Sequence, residues 1–349
     1  MTTTASAALI VGALPPPAGG VATHCLELQR ALEAAGLPAE IVDPRRRGPD
    51  GRDGRPRLLA KLARARLRRD LIHVHTNGHN RGSWTLAALC AAGHVGPSLL
   101  TLHSGLAPDF IRAHATWTRR ICGFYSQVIA VNAEIAAALV GAGVRSEHLR
   151  VCAAFTPSSL SFRLAPAGLM QLRRVHPLLV ACMLAPGVEY GADCLLDAFT
   201  IVRRQRRDAG LVIYGPGTRA PELVAAVAAR GLDGSVHHLG ELPRERALAV
   251  AAAADVFVRP TLADGDAISV REALALGRPV VASRVGTRPS GILGFAAGDA
   301  AACAEQIFLA VDKRLPEFAP QLDCLPELLD LYRHLGAAVT NGTSLATAR

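Results

Sequence analysis

Aromatic residues make up only 4% of this 349-residue sequence and charged residues 19%, whereas half of it is hydrophobic. So little charge on so apolar a chain excludes disorder and implies globular packing. Eight cysteines are scattered along it, but no C-x-x-C pair and no histidine at ligand spacing accompanies them. Their scatter argues against a zinc site and predicts small buried hydrophobes in a reducing compartment. No stretch reaches the roughly 18 uninterrupted apolar residues that a membrane span needs. The apolar opening, residues 7–14, is short and no basic residue precedes it. A buried first strand is therefore expected there instead of a signal peptide, and a cytoplasmic protein. A G-x-G-x-x-G fingerprint is also missing, which argues against a dinucleotide-dependent oxidoreductase.

What is present is basic charge and an alternating pattern. The formal net charge is +9, and eleven Lys or Arg residues fall between Arg45 and Arg69. In its second half, Leu58, Leu59, Leu62 and Ala63 lie near one helical face with Arg and Lys around them. Such a helix suits an anionic membrane surface or the steering of an anionic ligand, and equally a solvated helix packed on a sheet. Without interleaved aromatics for base stacking, nucleic acid is not an expected partner. Apolar strand candidates alternate with helical stretches from Ala7 to Ala153 and again from Leu178 to Ala282. Alternation of this kind predicts an α/β chain with two doubly wound, Rossmann-like domains, and the length agrees with two. The stretch Phe155–Gln171, with Pro and Ser, reads as the linker. Expected domains are residues 1–165 and 166–320, followed by a terminal helix and tail over 321–349. A central cleft between two such domains is the default ligand site.

Two segments carry chemistry. The loop Gly12–Gly20 ends in adjacent glycines, Gly19 and Gly20, where a helix begins. Backbone N–H groups there can approach an anion closely; a tight turn needing positive φ accounts for one glycine more easily than for two. The second segment runs from Arg259 to Ser283. A strand ends at Arg259, a loop crosses Asp264–Ala267, and a helix is expected from about Ser269. Asp264 and Glu272 can accept hydrogen bonds from sugar and ribose hydroxyls. The N–H groups of Gly265, Asp266, Ala267 and Ile268 can hold phosphates. Ser269–Glu272 also fits a capping box, in which the Glu merely closes the helix start.

The run Pro260-Thr261, Asp264-Gly265, Glu272 and Gly277-Arg-Pro-Val-Val-Ala-Ser283 resembles the donor motif of the retaining glycosyltransferases of family 4, which have the GT-B fold. Further pieces stand in family order over residues 7–310: Gly19-Gly20, Thr101-Leu-His-Ser-Gly105, Ile129-Ala-Val-Asn132, Gly215-Pro-Gly217, Leu239-Gly240 and Ala254-Asp-Val-Phe-Val258. The resemblance implies transfer of a sugar from a nucleoside-diphosphate sugar, a substrate and not a cofactor, to an acceptor hydroxyl with retention. The acceptor implied is a glycan or lipid-linked glycan met by the N-terminal domain, with the donor on the C-terminal one. Glu272 would bind the ribose, Asp264 the donor sugar's hydroxyls, Gly19 and Gly20 the diphosphate, and His103 would line the sugar site. Arg271, Gly215, Gly240 and Tyr190 would also contact substrate. His24, His73 and His75 are expected to be structural.

The departures from the family are specific. Its usual Arg and Lys, which neutralise the departing diphosphate, are replaced by Met183 and Tyr190; its first Glu is Asp264, and its Phe-Gly is Asp266-Ala267. A replacement cation is required, and Arg259, Arg271 and Arg288 are the candidates, Arg259 first because its strand points at the cleft. Asp264-Gly-Asp266 has the form of a metal motif but falls in the donor loop, so no divalent metal is expected. The alternatives are a non-catalytic GT-B nucleotide-binding module and a nucleotide-sugar epimerase-like enzyme.

Overall fold

A computed structural model describes residues 7–15, 19–45, 54–153, 160, 168–312 and 324–337. The chain forms two compact units, Met1–Phe155 with Asp323–Arg349, and Thr156–Leu322. Most of the expected linker lies outside the described residues, as do Arg46, Arg47 and Arg52 of the basic run.

Unit 1 holds β1 (Ala8–Val11), β2 (Ala39–Val42), β3 (Leu71–Thr76), β4 (Ser98–Leu102), β5 (Gln127–Ala130) and β6 (Leu149–Val151). Its helices are α1 (Gly20–Ala34), α2 (Gly54–Arg68), α3 (Arg81–Ala91), α4 (Ala107–Ala113), α5 (Ala115–Cys122) and α6 (Ala133–Gly141). The one helix expected over 108–124 is thus two, broken at His114, whose φ of −130° and ψ of 36° leave the helical region. All strand pairs are parallel in the order β2-β1-β3-β4-β5-β6. The order reverses between β1 and β3, which makes their carboxyl ends this sheet's switch point.

Unit 2 runs α7 (Leu169–Val175), β7 (Leu179–Met183), α8 (Ala192–Gln205), β8 (Gly210–Tyr214), α9 (Pro221–Ala229), β9 (Val236–Gly240) and α10 (Arg244–Ala253). It continues with β10 (Val256–Arg259), α11 (Ile268–Ala275), β11 (Val280–Ser283), β12 (Leu293–Phe295) and α12 (Ala300–Asp312). Its parallel order, β12-β11-β10-β7-β8-β9, reverses between β7 and β10. Sequence reading missed β12, only three residues long, and the helices α7 and α12.

In both units most central strands are buried along their whole length, β1 (ALIV), β3 (LIHVHT) and β8 (GLVIY) among them, because helices cover both sheet faces. The closing helix, α13 (Leu325–His334), is not a separate appendage. Its Leu328 and Tyr332 are buried with Ile10, Leu28, Leu71 and Leu99 in the core of unit 1. The Tyr332 hydroxyl lies 2.7 Å from His73 Nδ1.

Candidate functional site

The switch point of unit 2 gathers most of the expected donor-side residues. Arg259 is the last residue of β10, and Met183 is the last of the neighbouring β7. The loops after these strands are stitched together: Leu262 N–H donates to the Glu189 carbonyl at 2.7 Å. Gly191, at φ +71°, packs so closely on Pro260 that a Cβ would overlap the Pro260 carbonyl oxygen. This contact sets Tyr190 against Arg259, whose guanidinium lies 5.3 Å from the ring centroid. Arg259 Nη1 also reaches the Met183 carbonyl at 3.4 Å and its sulfur at 3.8 Å. The guanidinium therefore stands against both Met183 and Tyr190.

Asp264 lies under two arginines. Its Oδ2 accepts from Arg259 Nε at 3.0 Å and from Arg288 Nη2 at 3.1 Å, and Thr261 Oγ1 approaches it at 3.2 Å. Arg288 is brought there by the turn after β11, where Gly286 at φ +63° packs on the carbonyls of Asp264 and Gly265. Thr287 N–H donates to the Gly265 carbonyl at 2.8 Å beside it. Burial alone would raise the Asp264 carboxyl, but the charges of Arg259 and then Arg288 hold it below its ordinary value. Arg288 is pulled below the usual guanidinium value, first by burial, with Arg259 adding to it against Asp264. It stays charged at neutral pH all the same. The two arginine side chains are 8% and 7% exposed, so both guanidiniums are almost wholly buried.

Asp266 and Arg271 form a bidentate pair, with Nε to Oδ1 at 3.1 Å and Nη2 to Oδ2 at 2.8 Å. Both side chains are almost fully buried, which suits a brace between the loop and α11. Among the described residues, three guanidiniums, Arg259, Arg271 and Arg288, are paired here with two carboxylates, Asp264 and Asp266, where burial makes charge costly. Gly265, Ala267 and Ile268 are buried beside them.

The capping-box reading of Glu272 is corrected. Helix α11 begins at Ile268 with Ala267 as N-cap and no side-chain cap, so Ser269 does not cap it and Glu272 lies in the second turn. Glu272 Oε1 instead accepts from Arg244 Nε at 2.9 Å, at the start of α10, and the carboxylate is 14% exposed. Arg244 had no sequence signal, being 28 residues away on another helix. Gly215 and Gly240 meet at the ends of β8 and β9, with Gly215 N–H donating to the Gly240 carbonyl at 2.8 Å. Gly215 sits at φ +119° against the Leu184 carbonyl, so backbone packing alone requires glycine there.

In unit 1, Gly19 is the N-cap of α1 in an extended conformation (φ −162°) and Gly20 its first residue. Neither takes positive φ, which removes the tight-turn account; a Cβ on either would meet nothing within 4 Å. At the carboxyl ends of β3 and β4, His103 Nε2 lies 3.0 Å from His75 Nδ1. His24 of α1 packs its ring 5.2 Å from His75 and 5.1 Å from His103. Histidines from three separate segments are therefore one cluster of four, since His73 lies 4.0 Å from His75 on the same strand. All four are held below the ordinary imidazole value by burial, His24 at about 4.

On helix α2, Leu58, Leu62 and Ala65 are buried against the sheet, while Leu59 (52%) and Leu67 (88%) are exposed. Two turns apart, these leucines share a face amid exposed Arg55, Arg64 and Arg68.

Residues 177–312 match the family model described as glycosyl transferases group 1, and residues 18–153 the one described as glycosyltransferase family 4. No curated protein sequence matches the chain. Among solved structures, Anabaena HepE in complex with UDP-glucose is 18% identical with a TM-score of 0.67, covering 95% of this chain and 96% of that one. Sucrose-phosphate synthase from Thermosynechococcus elongatus is 18% identical, TM-score 0.66, over 94% and 99%. S. aureus MnaA with UDP is 12% identical, TM-score 0.61, over 95% and 97%. These likenesses show the GT-B fold.

Proposed function

For a chain built of glycosyltransferase domains on the GT-B fold, we propose transfer of a sugar from a nucleoside-diphosphate sugar to an acceptor hydroxyl, with retention and without a metal ion. The observation that carries the reading is the pair of arginines, Arg259 and Arg288, gathered on Asp264 at the switch point of unit 2. Cleavage of the donor leaves a diphosphate whose developing charge must be stabilised by preorganised cations. Arg259 stands against Met183 and Tyr190, the two places where the family's cations are missing, so the charge has moved from one strand to its neighbour. Arg288 reinforces it, and Asp264 orients both guanidiniums while offering oxygens toward the donor sugar. Asp266 and Arg271 keep the loop in shape, with the Gly265–Ile268 backbone at the phosphates. Glu272, steadied by Arg244, accepts the ribose hydroxyls. At the carboxyl edge of unit 1, Gly19, Gly20 and His103 are the proposed ligand contacts.

A thermal-shift panel of nucleoside diphosphates and their sugars tests this directly. Wild type is expected to be stabilised by at least one base, and Glu272→Ala to bind about tenfold or more weakly, since a charged hydrogen bond contributes roughly 1.5–3 kcal/mol. No shift with any nucleotide would sink the reading. A second reading, a nucleotide-binding module without transfer, is favoured by one feature: Arg259 and Arg288 already have a carboxylate partner in Asp264. Binding without donor turnover would select it.

The acceptor we propose is a lipid-linked or other glycan precursor, met at a cytoplasmic membrane surface. The exposed Leu59–Leu67 face of α2, set among arginines, supports that surface. Co-sedimentation with vesicles containing anionic lipid is expected for wild type and reduced severalfold by Leu59→Ser with Leu67→Ser. Equal binding to neutral vesicles would remove the basic helix from the account.

A further inference from the structure

We propose that His24, His75 and His103 form a transition-metal site, of the kind that takes Zn²⁺, at the switch point of unit 1. One ligand nitrogen from each ring can be chosen so that all lie within 4.8 Å of one another. Four-coordinate zinc with bonds near 2.0–2.1 Å spaces its ligands by about 3.3 Å. The 3.0 Å between His75 Nδ1 and His103 Nε2 is close to one edge of that tetrahedron, so only His24 must move inward. The three ligands come from a helix, a strand and the loop after another strand, which ties α1 to the carboxyl ends of β3 and β4.

Three features make the cluster more than packed rings. First, His75 Nε2 is buried without a hydrogen-bond partner, so the ring's one hydrogen bond among the described residues is the contact of its Nδ1 with His103 inside the proposed site. Second, His24 and His75 are buried, so bulk water is kept from two of the three ligands. Third, His73 forms an outer support: its ring lies 4.0 Å from that of His75, and its nitrogens are fixed by the Tyr332 hydroxyl and Thr101 Oγ1, both at 2.7 Å. An all-imidazole donor set selects zinc, copper or nickel over magnesium and calcium. His103 is half-buried, which leaves a way in. His103 is also one of the ligand contacts proposed for unit 1, whereas the charge of the proposed transfer is handled by arginines of unit 2.

Titration of chelator-treated protein with Zn²⁺ against a chromophoric chelator, and with Co²⁺ followed by its visible ligand-field bands, tests the site. One equivalent is expected to bind with a four-coordinate cobalt spectrum. His24→Ala, His75→Ala and His103→Ala should each weaken binding about 100-fold, by analogy with the loss of even an outer-shell partner, which costs roughly 10–100-fold. A control variant altering the separate His176–His237 pair should not weaken it. Ring ¹⁵N shifts of the three histidines on zinc addition decide the matter in wild type if a variant does not fold. Absence of binding below about 10 μM, or binding lost only in the control, overturns the proposal. Neither outcome bears on nucleotide binding, which the thermal-shift panel reads independently.

Discussion

Arg259→Met is expected to lower kcat by about 10² to 10³ while leaving a folded protein. The magnitude is that of removing one preorganised charge-stabilising group from a transition state. Folding should survive because Asp264 keeps Arg288 at 3.1 Å, so no buried carboxylate is left without a cation. Methionine also matches the apolar stem of arginine and can pack on Tyr190 and Met183. Arg259→Lys should recover only part of the activity, since lysine lacks the planar fork that meets Asp264 and the Met183 carbonyl together. Initial rates with donor and acceptor, alongside thermal melts, provide the check. A variant with wild-type kcat/KM would show that Arg259 only supports the loop, and would return the search to Arg288.

The second large effect is loss of stability in mild acid. His24, His73, His75 and His103 all titrate below the ordinary imidazole value of about 6.5 in the folded protein, His24 at about 4. As pH falls through about 6.5, the unfolded chain takes up protons that the folded chain refuses, so stability drops until the folded value is reached. Each ring contributes about 1.4 kcal/mol per pH unit in that window, or roughly 3 kcal/mol for His24 taken through it. His94 and His237, lowered less, add in the same direction. Urea unfolding at about pH 7.5, 6.5, 5.5 and 4.5, with a chelator present, should show a steep decline below about pH 6.5. His24→Gln should make it shallower. A flat profile would mean that the rings accept protons without opening the core.

The residues proposed for the donor were legible because they are local. Arg259, Asp264 and Glu272 lie within fourteen residues, and strand, loop and helix spacing is enough to set them at one sheet edge. Even there, the role of Glu272 turned on a single residue of helix register, and its partner Arg244 sits on another helix. The histidines show the opposite case. His73 and His75 share one strand, but His103 joins them only because β3 and β4 align in parallel, and His24 only because α1 packs beside them.

By itself the sequence determined the alternation of strands and helices and hence two doubly wound units, because strands buried on both faces must be continuously apolar. It also carried the loop proposed for the donor, with Met183 and Tyr190 where the resembled family has its cations. Tertiary structure alone decided that Arg259 stands against Met183 and Tyr190, that Asp264 is shared by two arginines, and that α13 closes unit 1. Those outcomes depend on which strands become neighbours, and neighbours in a crossover sheet are set by the burial of whole faces, which no single stretch of sequence encodes.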